Sequence, residues 1–442
     1  MACDLLIEAR WIVPVQPHGV VLEDHAVAIR DGVIQAVLPR SEARARFAPT
    51  ETVSLPDSIL IPGLVNAHTH NPMTLMRGVA DDLPLMQWLS GHIWPIEAKV
   101  LGQDFCAVGA ELAVAEMLRG GTTCCNENYF FPDVIGAVYQ RLGFRCRLGL
   151  PVIDFPTPWA DSADDYFARA QDVHTQFQGD ALIATAFAPH APYTVGDAGF
   201  ERIRELAAQW DIPVHCHVHE TAQEISDSLR DHGVRPLARL DRLGLLNERL
   251  IAVHMTQLEA AEIALCAERG VAVVHCPESN LKLASGFAPV EAMRRAGITV
   301  ALGTDGCASN NDLDMFGEMH TAALLAKGVA ADATALDAAS TLRMATLEGA
   351  RALHLEHHIG SIEAGKQADL TAVDLSGLES MPVYDPLSHL VYASSRHQVH
   401  WTWIAGQARL RERELVDIDV SELRARVCGW QARIAAVPRG AA

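Results

Sequence analysis

Five side chains able to hold a divalent cation, His68, His70, His217, His254 and Asp305, each stand at the downstream end of a short apolar run. Imidazole nitrogens and a carboxylate oxygen suit zinc, and iron or manganese would accept the same donors. A cation so held lowers the pKa of bound water from about 16 towards about 7, which makes hydrolysis feasible at neutral pH. His68 and His70 are two residues apart, and in a strand that spacing points both rings to one face. With 20 histidines in 442 residues, such a pair arises by chance about once. The apolar run of residues 60–67 before it is what gives it weight.

Parity alone does not choose a ligand in the segment 213–220, where His215, His217 and His219 share one strand face. Asp305 closes the apolar run 299–304 and, taken alone, is either a helix N-cap or an oxygen ligand. His254 has the plain alternative of a satisfied core imidazole, and Glu220 that of a carboxylate at a helix start.

Positioning these groups requires a particular kind of scaffold. Eight apolar segments, at residues 60–70, 122–127, 146–153, 181–190, 213–220, 250–254, 271–276 and 299–305, alternate with helical stretches such as 107–118, 200–209, 259–269 and 290–296. Strands linked through helices pair in parallel, and eight of them close a barrel whose chemistry gathers at the strand C-termini. Before them, alternating strands at 5–15, 26–30 and 33–37 include a hairpin turn at Asp31-Gly32. After them come a helix at 338–353, hairpin-like β pattern at 360–374 and 399–413, and an amphipathic helix at 420–435. The expected fold is α/β, a (β/α)8 TIM-type barrel with a small β-sandwich domain built from both chain ends. Residues 1–58 and 359–442 would form the sandwich, the latter with the C-terminal helix, and residues 59–358 the metal-dependent barrel.

Four motifs add a resemblance. Pro62-Gly63-Leu64-Val65-Asn66-Ala67-His68-Thr69-His70, His217-x-x-Glu220, His275-Cys276-Pro277-Glu278-Ser279-Asn280-Leu281-Lys282-Leu283 and Gly303-Thr304-Asp305-Gly306-x-Ala308-Ser309-Asn310 resemble the amidohydrolase superfamily. Within it the chain is similar to the methylthioadenosine/S-adenosylhomocysteine deaminases, through to Gly360-Ser361-Ile362-Glu363-Ala364-Gly365-Lys366-x-Ala368-Asp369-Leu370. The resemblance implies His68, His70, His217 and Asp305 as metal ligands, with His215 and His219 in supporting or packing roles. It assigns proton transfer to Glu220, His254 and Asp305, and places Glu97 and His190 against the substrate together with Glu220. Two-metal members carry a strand-four lysine, whereas strand four here ends in His190, so one divalent ion per subunit is expected, zinc first.

The implied reaction is hydrolytic deamination of a 6-aminopurine nucleoside to its inosine analogue and ammonia. Glu220 would protonate a ring nitrogen as water attacks the carbon bearing the amino group, while His254 and Asp305 orient and deprotonate that water. Family arginines after strand three grip the carboxylate of a homocysteine tail, but here residues 150–168 contain none, Arg169 is the next, and Arg145 and Arg147 lie earlier. A carboxylate would lose its charge-assisted partners, which favours 5'-methylthioadenosine over S-adenosylhomocysteine or adenosine. Trp88, Met73 and Met76 are candidates to line an apolar pocket for the methylthio tail.

Composition narrows the partners to a small molecule. The net charge is −20, and no Lys/Arg cluster interrupts it, so nucleic acid and anionic membranes are not expected partners. No apolar stretch reaches the roughly 20 residues of a membrane span, and the start lacks a secretory pattern, so a cytoplasmic homo-oligomer, dimer or tetramer, is expected. Ten cysteines form no CxxC pair, and adjacent Cys124 and Cys125 read as strand packing. Two other functions compete with deamination: hydrolysis of amino- or chlorotriazines by the same chemistry, and a non-catalytic barrel kept for protein contacts.

Overall fold

The structure is a computed structural model that describes residues 1–437. Eight parallel strands follow one another in sequence order around a barrel sheet: Leu64–Thr69, Thr122–Glu127, Arg145–Val152, Ile183–Pro189, Val214–Val218, Leu250–His254, Ala272–His275 and Val300–Leu302. They are numbered here from one to eight. Nearly every strand residue is buried, as a parallel sheet covered on both faces demands. The Asp305 N–H just beyond strand eight donates to the His68 carbonyl of strand one at 3.0 Å. That bond joins the last strand to the first.

Gly303 makes the seam sterically possible. A Cβ there would lie 2.8 Å from the His68 backbone nitrogen and 2.9 Å from its Cβ. Several crossover helices stop where a residue turns left-handed, Pro132–Leu142 at Gly143 (φ 61°) and Ala260–Arg269 at Gly270 (φ 72°).

The expected single strand 60–70 is in fact two. Ala48–Pro62 belongs to the sheet of the chain ends, and Leu64–Thr69 begins the barrel. Between them Gly63 passes so close to Thr123 that a Cβ would sit 2.1 Å from its Oγ1; only glycine permits that approach.

The terminal strands form one continuous eight-stranded sheet. Within it Leu370–Asp374 pairs antiparallel with Ala48–Pro62, which pairs in parallel with Ala2–Ile12, so the two chain ends do pair with each other. The Asp31-Gly32 turn joins Leu22–Arg30 to Val33–Pro39 with both residues at positive φ, as a tight two-residue hairpin requires. Leu5, Ile7 and Ala9 join Trp401 and Trp403 in one apolar cluster, while Leu6 joins Ala43 and Phe47 in another; alternation along the strand turns Leu6 away from its neighbours. The expected helix 338–353 is divided into Ala338–Met344 and Leu347–Ala352.

Two compact units are formed by Met1–Asn66, Ala115–Cys124 and Asp314–Ile418, and by Ala67–Val114, Cys125–Leu313 and Asp419–Ala442. The C-terminal helix Val420–Ala435 lies in the second: Trp430 meets Phe105 edge-on at 5.4 Å and Arg426 pairs with Glu111 at 2.9 Å. It therefore packs on the helix Gln103–Arg119. None of the ten cysteines forms a disulfide, and Cys124 and Cys125 are both buried.

Gly303→Ala tests the seam. The methyl group meets backbone that cannot yield, so a loss of about 1–3 kcal/mol is expected, read as a lower midpoint in thermal unfolding of metal-free protein.

Candidate metal centre

Strand ends deliver the donors to one point. His68 Nε2 lies 3.2 Å from His217 Nε2 and 3.3 Å from Asp305 Oδ1, and His70 Nε2 lies 3.2 Å from the same oxygen. The His254 ring stacks on His217 at 5.5 Å. Left-handed backbone at His254 (φ 75°), Met255 (φ 52°) and Asp305 (φ 65°) turns these ends towards the axis, a conformation non-glycine residues adopt at a cost.

Each donor is oriented from behind. His70 Nδ1 faces the Asn128 carbonyl, and His217 Nδ1 faces the His190 carbonyl at 2.6 Å. A carbonyl only accepts, so both rings carry their proton on Nδ1 and turn the other nitrogen inward. His68 Nδ1 meets His215 Nε2 at 3.2 Å. Ser279 Oγ donates to Asp305 Oδ2 at 2.6 Å, and Gly306 N–H donates to Oδ1 at 2.8 Å.

The protonation states favour a cation. Burial lowers His68 to about 4 and holds His217 well below the usual imidazole range. Burial alone would raise the Asp305 carboxyl, but hydrogen bonding and charge from His68 and His70 hold it well below the usual range. Burial alone would lower His70, but hydrogen bonding and charge from Asp305 raise it; three inward nitrogens and one carboxylate oxygen thus converge on one point. Two three-donor groups able to hold a metal ion share His68: His68, His70 and Asp305, and His68, His217 and His254; nitrogen and carboxylate donors of this kind suit a zinc-type site.

The other expected residues surround a cavity of about 340 Å³ beside this point, whose lining includes Trp88, Glu97, His190, Glu220 and His254. Glu220 Oε2 stands 3.8 Å from His254 Nε2. His254 Nδ1 is 2.8 Å from Asn280 Oδ1, an acceptor that places the proton on Nδ1 and leaves Nε2 open. Burial raises Glu220 above the ordinary carboxylate range and Glu97 to about 7. Burial lowers His190 to about 4, so it stays neutral.

The parity ambiguity at strand five resolves by position. His215 stands behind His68, and His219, just past the strand at φ 55°, accepts from Leu237 N–H at 3.2 Å, away from the centre. Arg145 and Arg147 donate to the carbonyls of Ala181 and Thr185, and neither lines the cavity. Met73 lines it, whereas Met76 is buried outside the lining.

Four contributors escaped the sequence reading. Glu224 accepts from the backbone N–H groups of His219 at 3.0 Å and Glu220 at 2.7 Å, fixing the loop that presents Glu220. The pattern Thr221-x-x-Glu224 is a capping-box signal that could have found it. Ser279 and Asn280 sit inside a recognised motif, and their roles needed the fold to appear. Asn128 lines the cavity with its Nδ2 buried and lacking a partner among the described residues; nothing in its sequence context marks it.

An eight-stranded parallel barrel with cation donors at the ends of strands one, five and eight defines the class. Residues 59–409 match the amidohydrolase family, and the chain belongs to it. It is 46% identical over 433 residues to a 5-methylthioadenosine/S-adenosylhomocysteine deaminase of Saccharophagus degradans, covering 98% of this chain and 97% of that one. A relative of the same description from Teredinibacter turnerae is also 46% identical, covering 98% of each chain. Among solved structures, an adenosine deaminase from Xanthomonas campestris with bound zinc is 67% identical, with a TM-score of 0.98 and 99% coverage of both chains. The atrazine chlorohydrolase TrzN of Arthrobacter aurescens, 24% identical with a TM-score of 0.90 over 97% of this chain and all of its own, shares the fold.

Ser279→Ala should leave the barrel folded but free Asp305 Oδ2. Zinc affinity is expected to fall about 10- to 100-fold, measured by competition with a chromogenic chelator.

Proposed function

We propose that this protein is a metal-dependent aminohydrolase of 6-aminopurine nucleosides, with 5'-methylthioadenosine the favoured substrate. The observation that carries the reading is one arrangement: a four-donor cation centre flanked by a carboxyl group raised by burial, Glu220, and an imidazole with an open Nε2, His254. The relatives' descriptions as 5-methylthioadenosine/S-adenosylhomocysteine and adenosine deaminases support the same chemistry.

His68, His70, His217 and Asp305 would hold one divalent ion, zinc by its donor set and by the zinc in the Xanthomonas campestris relative. When bound, such an ion polarises water and lowers its pKa towards about 7. The protein's own groups do the rest. Glu220, whose burial raises it and so favours its protonated form, gives its proton to the ring nitrogen next to the amino-bearing carbon. Without that proton, negative charge would collect on the ring as water adds.

His254 Nε2 takes the water proton, with Asn280 holding the ring in the accepting tautomer. The proton then passes to the leaving amine, the carbon–nitrogen bond breaks as the added hydroxyl returns its remaining proton to Glu220, and ammonia departs with the 6-oxo purine behind it. Glu97 and His190 line the cavity as groups for the nucleoside. The reading extends to a cytoplasmic homo-oligomer, in keeping with the acidic composition and with no helix among the described residues being long and apolar enough to cross a membrane.

The test is conversion of 5'-methylthioadenosine to its inosine analogue with ammonia release, run beside chloride release from a chlorotriazine. Ammonia without chloride supports the proposal, and the reverse outcome overturns it. Glu220→Gln should retain metal and lose about 10²–10⁴-fold in kcat. Because activity needs protonated Glu220, wild-type turnover should decline as pH rises through its raised pKa, and that limb should vanish in Glu220→Gln. A chelator should abolish turnover, with zinc restoring it.

A further inference from the structure

One residue of the motif running from His275 to Leu283 has no part in the metal centre. Ser279 and Asn280 hold Asp305 and His254, and both stand on the short helix Pro277–Lys282. Lys282, the last residue of that helix, reaches two neighbouring loops instead. Its ammonium donates to Asp81 Oδ1 at 2.6 Å, to Asn311 Oδ1 at 2.5 Å and to the Ala308 carbonyl at 3.4 Å. An ammonium has three N–H groups, so these three oxygens use all of them. The side chains of Lys282 and Asp81 are 19% and 39% exposed, and a pair partly shielded in this way is screened less than one on open surface.

Asp81 lies at the start of the segment that covers the cavity. Residues 77–84 contain no helix or strand, and Asp81 and Asp82 are exposed. They lead into Leu85–Trp88, Leu89–Ile93 and Trp94–Val100, whose Trp88, Ile93, Trp94 and Glu97 line the cavity. The other two oxygens belong to the loop after strand eight. There Asn311 is left-handed at φ 88°, and its carbonyl accepts from Arg77 Nη1. One cation therefore ties together the loops that follow strands one, seven and eight.

We propose that Lys282 is a positioning residue for the reaction: through Asp81 it holds the segment 77–101 in the place where Trp88 and Glu97 face the substrate. The proposal rests on the nucleoside reading above for its substrate alone. Releasing the clasp lowers the fraction of enzyme whose cavity wall is assembled, and the apparent affinity falls with that fraction while the chemistry of bound substrate is unchanged. Asp305 and His254 keep their own supports, since the bonds from Ser279 and Asn280 do not pass through the ammonium.

The experiment uses zinc-loaded protein. Lys282→Met and Asp81→Asn should each raise KM for 5'-methylthioadenosine about tenfold, with kcat changed less than about threefold, and the double variant should be no worse than either single one. Hydrogen exchange in residues 77–94 should quicken in both. Lys282→Arg, which keeps a charge opposite Asp81, should recover most of the KM, and zinc affinity by chelator competition should match the wild type throughout. Unchanged KM and exchange in Asp81→Asn overturn the proposal. So do additive losses in the double variant, or weakened zinc binding in Lys282→Met, which would put the effect at the metal centre. Hydrogen exchange needs no turnover: if no adenine nucleoside is deaminated, the nucleoside reading fails while exchange still decides whether the clasp holds the segment.

Discussion

One hydrogen bond closes the molecule's chemistry as well as its barrel. The Asp305 N–H bonded to the His68 carbonyl fixes the ends of strands one and eight side by side. Residues separated by more than two hundred positions in the chain then share a single donor cluster. Glycine at 303 is what lets the strands meet, and Asp305, left-handed at φ 65°, turns its carboxylate inward only because Ser279 and Gly306 hold it. Closure, strain and ligation are therefore one structural event, and disturbing any of them disturbs the others.

Burial then divides the ionisable groups by sign. Desolvation penalises whichever form is charged, so it raises Glu220 and Glu97 and lowers His68, His190 and His217. Asp305 escapes this rule because two imidazoles face it directly. The outcome is a carboxyl group biased towards its protonated form, imidazoles at 68, 190 and 217 biased towards the neutral one and one carboxylate biased towards the charged one, while Asp305 shifts His70 the other way. A single dry environment sets three different protonation states through differences in immediate neighbours.

Much of this was legible in the residues. The eight strand segments and the Asp31-Gly32 hairpin follow from local periodicity and turn chemistry, which tertiary structure did not override. The split of residues 60–70 was not legible, because Pro62 and Leu64 are equally apolar and the break lies in the contact of Gly63 with Thr123, sixty residues away. His217 could not be told from His215 or His219 by parity. The choice depended on where strand five stops: His219 lies beyond it, in the left-handed region, and parity no longer governs its direction. The supports Glu224, Asn280 and Ser279 act across elements, and spacing carries no record of a contact that the fold creates.

The cavity joins two surfaces with opposite requirements. Near the metal centre, His70, His217, His254 and Asp305 each have a fixed partner behind them, so a one-atom change there alters protonation, geometry or both. The apolar side bears no such burden. Its residues contribute area and exclude water, and a substitution there changes which tail leaves solvent favourably without touching the donors at the strand ends. Because the strands fix the first surface and loops and the segment 85–101 supply much of the second, substrate preference can change across relatives while the reaction is conserved. Shared chemistry with different substrates is the expected behaviour of a barrel whose rigid strand ends hold the catalytic groups and whose connections form the remaining wall.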